Sequence, residues 1–123
     1  MPILDVFVVV PEGNRRPAAN AKTLANAVAA VFGADPGTVW VRVQALPQSM
    51  YAENGDDEDP SPVFIKVQHA DMKAPEHLER EARELAQIVA ACLGCQTELV
   101  HIEYAPAARG RIAFGGRLSL IHI

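Results

Sequence analysis

Cysteine is scarce in this chain. There are two, Cys92 and Cys95, in the stretch CLGC. A structural zinc site needs further ligands at suitable spacing, and no second pair exists, so no metal site is expected. The two close an apolar helical stretch, where free cysteine behaves as a small hydrophobe, and packing is the expected role rather than redox chemistry. Long apolar runs are missing too. None reaches the roughly 18 residues of a membrane-spanning helix. No basic, apolar and small-residue leader opens the chain, so a secretory signal is not expected and a cytoplasmic location is. Positive charge is in deficit: 11 Lys and Arg stand against 15 Asp and Glu, for a net charge of −4. A nucleic-acid surface would show a basic stripe, and none is expected here.

What is present suffices for a core. Half of the 123 residues are hydrophobic, in a chain of the length of one domain. PILDVFVVV (2–10) is rich in β-branched residues and reads as a strand. After the loop PEGNRR, apolar residues Leu24, Val28, Val31 and Phe32 recur at spacings of three and four. The pattern predicts a helix from Pro17 to Phe32, stopped by Gly33. TVWVRVQAL (38–46) reads as a second strand. The segment from Pro47 to Pro62 is polar and holds the acidic run GDDEDPSP, a hairpin remnant followed by a linker. The order then recurs. VFIKVQHA (63–70) reads as a strand. Pro75 to Leu93 reads as a helix, with Leu78, Ala82, Leu85, Val89 and Leu93 on one face, Pro75 in the first turn and Gly94 as the stop. ELVHIEYA (98–105) reads as the fourth strand.

The two halves align at a constant offset of 61 positions: Pro2 with Val63, Leu24 with Leu85, Val28 with Val89, Gly33 with Gly94, Val39 with Val100 and Gly55 with Gly116. Apolar class and both pairs of glycines keep register without a gap, so the chain reads as two β-α-β repeats, 2–55 and 63–116, in one domain. Strand, crossover helix and parallel strand form the usual right-handed unit. Two of them give an α+β fold, a four-stranded sheet with both helices on one face. The other face is expected to carry Ile3, Val6 or Phe7, Val41 and Val43. Apolar residues on both faces need a second cover, which predicts oligomerisation.

A proline directly behind Met1, a duplicated β-α-β unit and a glycine-containing hairpin after the second strand together resemble the tautomerase superfamily. The segments VWVRVQALPQSMYAENG (39–55) and VHIEYAPAARGRIAFGG (100–116) each match its strand, loop and hairpin pattern. The nearest type is 4-oxalocrotonate tautomerase, whose subunit is a single such unit. This chain is similar to fused versions, as in the malonate semialdehyde decarboxylase and 3-chloroacrylic acid dehalogenase branches. The resemblance implies a tautomerase/MIF-like fold, a homotrimer, no cofactor, and a small carboxylate-bearing substrate.

It also implies roles. Pro2, freed by loss of Met1, would be the catalytic residue. A terminal α-amine titrates at roughly 7.7–8.0, and an apolar setting with a neighbouring cation lowers that value. Such an amine can move a proton next to a carbonyl; kept protonated, it serves as an acid instead. With Met1 retained, the Pro2 nitrogen is an amide and has no such chemistry. Lys73 falls where the family has a carboxylate-binding arginine, offering a point charge rather than a fork. In the first half Arg15 and Arg16 follow the comparable position, Glu12. The family's strand arginine is replaced by Trp40 in one half and His101 in the other. Arg42, two residues on from Trp40, shares its face. Tyr51 falls where the family has an aromatic near the proline. Arg109 and Arg111, in the second hairpin, would form a carboxylate clamp or sit at a subunit rim. His69 would be a second acid or base, or a hydrogen-bonded structural residue. Three functional readings stay open: a tautomerase-like isomerase, with a lyase or dehalogenase variant; a non-catalytic oligomeric binding protein; and a ferredoxin-like regulatory domain for small effectors.

Overall fold

The computed structural model describes residues 1–11 and 20–120. Four strands, β1 (Ile3–Val10), β2 (Trp40–Pro47), β3 (Val63–Gln68) and β4 (Val100–Tyr104), form one sheet in the order β2-β1-β3-β4. Within each repeat the strands run parallel, β1 with β2 and β3 with β4. The repeats meet through the antiparallel pair β1–β3. A hairpin of two-residue strands, β5 (Ala113–Phe114) and β6 (Arg117–Leu118), follows.

The crossovers are α1 (Ala21–Phe32) and α2 (Pro75–Leu93). The helix expected from Pro17 begins at Ala21, because Asn20 is extended (ψ 113°) and caps it. Its side-chain oxygen accepts from the N–H groups of Lys22 and Thr23 at 2.9 and 3.3 Å, meeting donors that the first turn leaves unpaired. Both helices end on a left-handed glycine, Gly33 (φ 56°) and Gly94 (φ 68°), a conformation that costs a Cβ-bearing residue. The stops therefore recur in both repeats in structure as in sequence.

Strand ends are shorter than the apolar pattern suggests. β2 starts at Trp40, since Thr38 is held in a turn by Asp35. β4 starts at Val100 after a 3₁₀ turn at Thr97–Leu99 and ends before Pro106, which has no N–H for the ladder. No hairpin closes the first repeat among the described residues; a 3₁₀ turn at Gln48–Met50 and irregular chain stand there.

Alternation sorts the side chains. Leu4, Val6 and Val8, with Val63, Ile65 and Val67, pack against Leu24 and Val28 of α1 and Leu85, Val89 and Ala90 of α2. Burying Leu4, Leu24, Ile65 and Leu85 to 2% exposure or less contributes about 2 kcal/mol each. Val41 and Val43 also pack on this helix side, so they do not line the open face as expected. Phe7, not Val6, does. In register across the open face run Gln44, Phe7, Phe64 and His101 in one row, and Arg42, Asp5, Lys66 and Glu103, alternating in charge, in the next. A shallow depression of about 420 Å³ lies over Phe7, Leu46, Phe64, Lys66, His101 and Glu103. Among the described residues no helix is long and apolar enough to cross a membrane.

Candidate active site

Pro2 is buried directly ahead of β1. Its carbonyl accepts from the Trp40 N–H at 3.1 Å, so proline, which lacks a donor, joins the sheet through its acceptor alone. Ile3 pairs with Gln68, which brings the end of β3 and the loop after it beside the N-terminus. That loop carries His69, Asp71 and Lys73. The segment leaving β4 crosses the same corner: Ala108 N–H donates to the His69 carbonyl at 2.8 Å and Arg109 N–H to that of Ala70 at 3.1 Å.

Arg109 meets Asp71 as a two-pronged pair, Nε to Oδ1 and Nη2 to Oδ2, both 2.7 Å. Its Nη1 donates to the Leu120 carbonyl at 3.1 Å. The Arg109 hydrogen bonds hold the Asp71 carboxyl below its usual range, and Lys73 and the terminal ammonium add smaller effects in the same direction. Among the described residues, three cationic groups and one carboxylate thus share this corner. Lys73 is exposed. The Nε/Nη2 edge of Arg109, expected to clamp a substrate carboxylate, is already engaged by a carboxylate of the protein itself, and its Nη1 by a main-chain carbonyl. Arg109 and the exposed Arg111 precede the β5–β6 hairpin rather than lying in it.

Trp40 walls the corner on the other side. It is 44% exposed, its Nε1 donates to the Gly37 carbonyl at 3.1 Å, and Phe114 meets it edge-to-face at 5.4 Å. The hairpin delivers Phe114 there by turning through Gly115 and Gly116, both at positive φ (58° and 87°), as a two-residue turn requires. Phe114 was not a sequence candidate; its only signal was the adjacent Gly-Gly.

His69 lies on the helix side, 8% exposed. Its Nε2 lies 2.6 Å from Glu81 Oε1, its ring stacks on Tyr104 at 6.0 Å, and Phe32 meets it edge-on at 5.7 Å. Tyr104 donates to Glu81 Oε1 at 3.0 Å, and the Leu78 carbonyl lies 3.2 Å from the same hydroxyl. Burial works against the Glu81 charge, but the bonds from His69 and Tyr104 outweigh it and hold the carboxyl below its ordinary value. Burial and the Glu81 charge push the Tyr104 hydroxyl far up. Of the two roles open to His69, the geometry is that of a hydrogen-bonded, enclosed histidine. Sequence reasoning missed Glu81, although it stands four residues before Leu85 on the apolar stripe, where a carboxylate implies a buried partner.

The other candidates are dispersed. Arg42 is on the open face, its Nε 2.6 Å from Asp5 Oδ1 and its Nη2 2.9 Å from Oδ2. Tyr51 lies beyond the Pro47 end of β2, seven strand residues from the Pro2 end, roughly 23 Å. The protomer therefore does not bring it to Pro2. Its hydroxyl donates to Glu53, a bond that pushes it up to about 12, and its ring leans on Phe64 at 5.7 Å. Arg15 and Arg16 lie outside the described residues. Among those described, no group of three His, Cys, Asp or Glu could hold a metal ion.

No family model and no curated protein matches the sequence. Solved structures do. A fused 4-OT symmetric trimer superposes with a TM-score of 0.75 at 21% identity, over 95% of this chain and 94% of that one. An FG41 malonate semialdehyde decarboxylase inhibited by 3-bromopropiolate gives 0.67 at 21%, over 92% and 88%. A macrophage migration inhibitory factor from Oncomelania hupensis gives 0.69 at 19%, over 97% and 83%. The chain has the tautomerase/MIF-like fold.

Proposed function

We propose that this chain is a fused, two-repeat member of the tautomerase superfamily, acting as a single domain and an enzyme on a small keto or enol carboxylic acid. The observation that carries the reading is the corner itself. Pro2 is buried at the head of β1, with Lys73, Arg109 and Asp71 gathered from two other segments around the terminus. Once Met1 is removed, the Pro2 secondary amine is the acid/base. It takes a proton from carbon next to a carbonyl and returns it elsewhere, an isomerisation. Lys73 supplies the point charge for the substrate carboxylate, with Arg15 or Arg16 from the first-half loop as its complement. Trp40 offers an apolar wall in the place of a second cation, and Tyr51, beyond the far end of β2, reaches a substrate only from a neighbouring copy. A homotrimer, the state named for fused 4-OT, covers the open face.

Asp71 bears on the reaction subtype. A carboxylate near the amine favours its charged form, which suits acid chemistry such as decarboxylation; the Arg109 fork neutralises that carboxylate and restores the base. Ketonisation of an arylpyruvate enol, followed alongside intact mass, tests the reading. Loss of Met1, turnover, and loss of that turnover in Pro2→Ala are the expected results. A protein that keeps Met1 and shows no turnover overturns it and leaves a non-catalytic member of the fold; a Pro2→Ala variant as active as the parent removes Pro2 from the mechanism.

A further inference from the structure

His69 is enclosed by every layer of the molecule. Phe32 from α1, Glu81 from α2 and Tyr104 from β4 each touch its ring. Apolar packing alone is non-directional and would let a ring slide. A bond of 2.6 Å to a carboxylate that is itself 5% exposed does not. The backbone then uses that fixed point. The carbonyls of His69 and Ala70 accept from the segment returning from β4, at Ala108 and Arg109. Arg109 is thereby tied twice to one loop, by its main chain to Ala70 and by its side chain to Asp71. Lys73 follows two residues later.

We infer that His69 and Glu81 form a positioning pair, which sets the β3–α2 loop so that Asp71 receives the Arg109 fork and Lys73 stands where the substrate carboxylate binds. The inference deepens the proposed function and rests on it for the role of Lys73. His69 is shut away from the corner and touches no substrate. Replacing both partners of a buried hydrogen bond by apolar groups of the same shape is often nearly neutral for stability, so what the directional bond contributes is placement of the loop. A glutamine at this position can present an N–H to Glu81, whereas leucine cannot.

The test compares wild type with His69→Leu, His69→Gln, Lys73→Ala and the His69→Leu/Lys73→Ala double variant. In His69→Leu, KM for the arylpyruvate enol rises roughly tenfold, about 1.4 kcal/mol, while kcat stays within twofold. His69→Gln restores KM to within twofold of wild type. The double variant binds no worse than Lys73→Ala, because the histidine acts through the lysine. Should His69→Leu not fold, His69→Asn, polar but too short to reach Glu81, takes its place with the same expected KM. A variant that unfolds earlier with KM unchanged, additive effects in the double variant, or no rescue by glutamine overturns the inference. A readout without substrate separates it from the functional proposal: the Arg109 Nε–H resonance shifts in His69→Leu and returns in His69→Gln. An inert wild type with that shift present defeats the enzyme reading and leaves the placement standing. A resonance unmoved in His69→Leu defeats the placement whatever the activity.

Discussion

Glu81 carries a negative charge into the packed layer between α2 and the sheet, with His69 and Tyr104 as donors and His77 at 3.4 Å on its second oxygen. Truncating one member of such a set strands the others without water. Glu81→Leu should cost roughly 3 kcal/mol, read as a shift in the urea midpoint. The same group gives stability a pH dependence of known sign. Its folded value lies below glutamate's ordinary 4.5, so its contribution is complete above that ordinary value and is lost as the pH falls through the lower folded one. Urea midpoints of wild type and Glu81→Gln, compared from pH 7 to 3, should converge at the acid end. Arg42 shows the opposite limit. Its side chain is 72% exposed on Asp5, and solvent screens the pair. Arg42→Ala should cost less than about 1 kcal/mol despite two short bonds.

The two helices start differently and end alike. Asn20 caps α1 with its own side chain, and Asn20→Ala should lower stability by about 1 kcal/mol in thermal unfolding. Ala74 precedes α2 with no side-chain cap, though Pro75 begins the first turn. Ala74→Ser should therefore stabilise, by roughly 0.5–1 kcal/mol. These elements were legible from periodicity and punctuation, because Leu24, Val28, Leu85 and Val89 mark a helical stripe and Gly33 and Gly94 its stops. Strand ends were less legible. Val39 continues the apolar pattern, yet the Asp35–Thr38 turn holds the chain out of the ladder until Trp40. The phase of β2 was misjudged for the same reason: Val41 and Val43 look as fit for an open face as for a covered one, and only pairing with Leu4 and Val6 decides. The corner at Pro2 was half legible. Proline and Lys73 stand out locally, but Asp71 and Arg109 join across 38 positions, and no local pattern announces such a contact.

At the scale of the molecule, one sheet face is covered by helices and the other is not. The uncovered face sets Phe7 and Phe64 beside a row of alternating charge, too apolar to stay bare and too specific to pack in any register. With the homotrimer proposed above, Phe64→Asp should shift sedimentation toward the monomer while far-ultraviolet circular dichroism is kept. Under the proposed function a Tyr51 acting at Pro2 must come from a neighbouring copy, since the Pro2 of its own chain lies at the far end of the strand.

Duplication leaves the two repeats unequal where it matters. Pro2 heads the first, whereas its counterpart Val63 follows Pro62 in mid-chain, fully enclosed and facing Val8. A peptide nitrogen has no lone pair to lend, so under the proposed function only the corner at Pro2 can be catalytic. The first repeat alone can therefore end in a main-chain amine, one per polypeptide, which makes three rather than six in the proposed homotrimer.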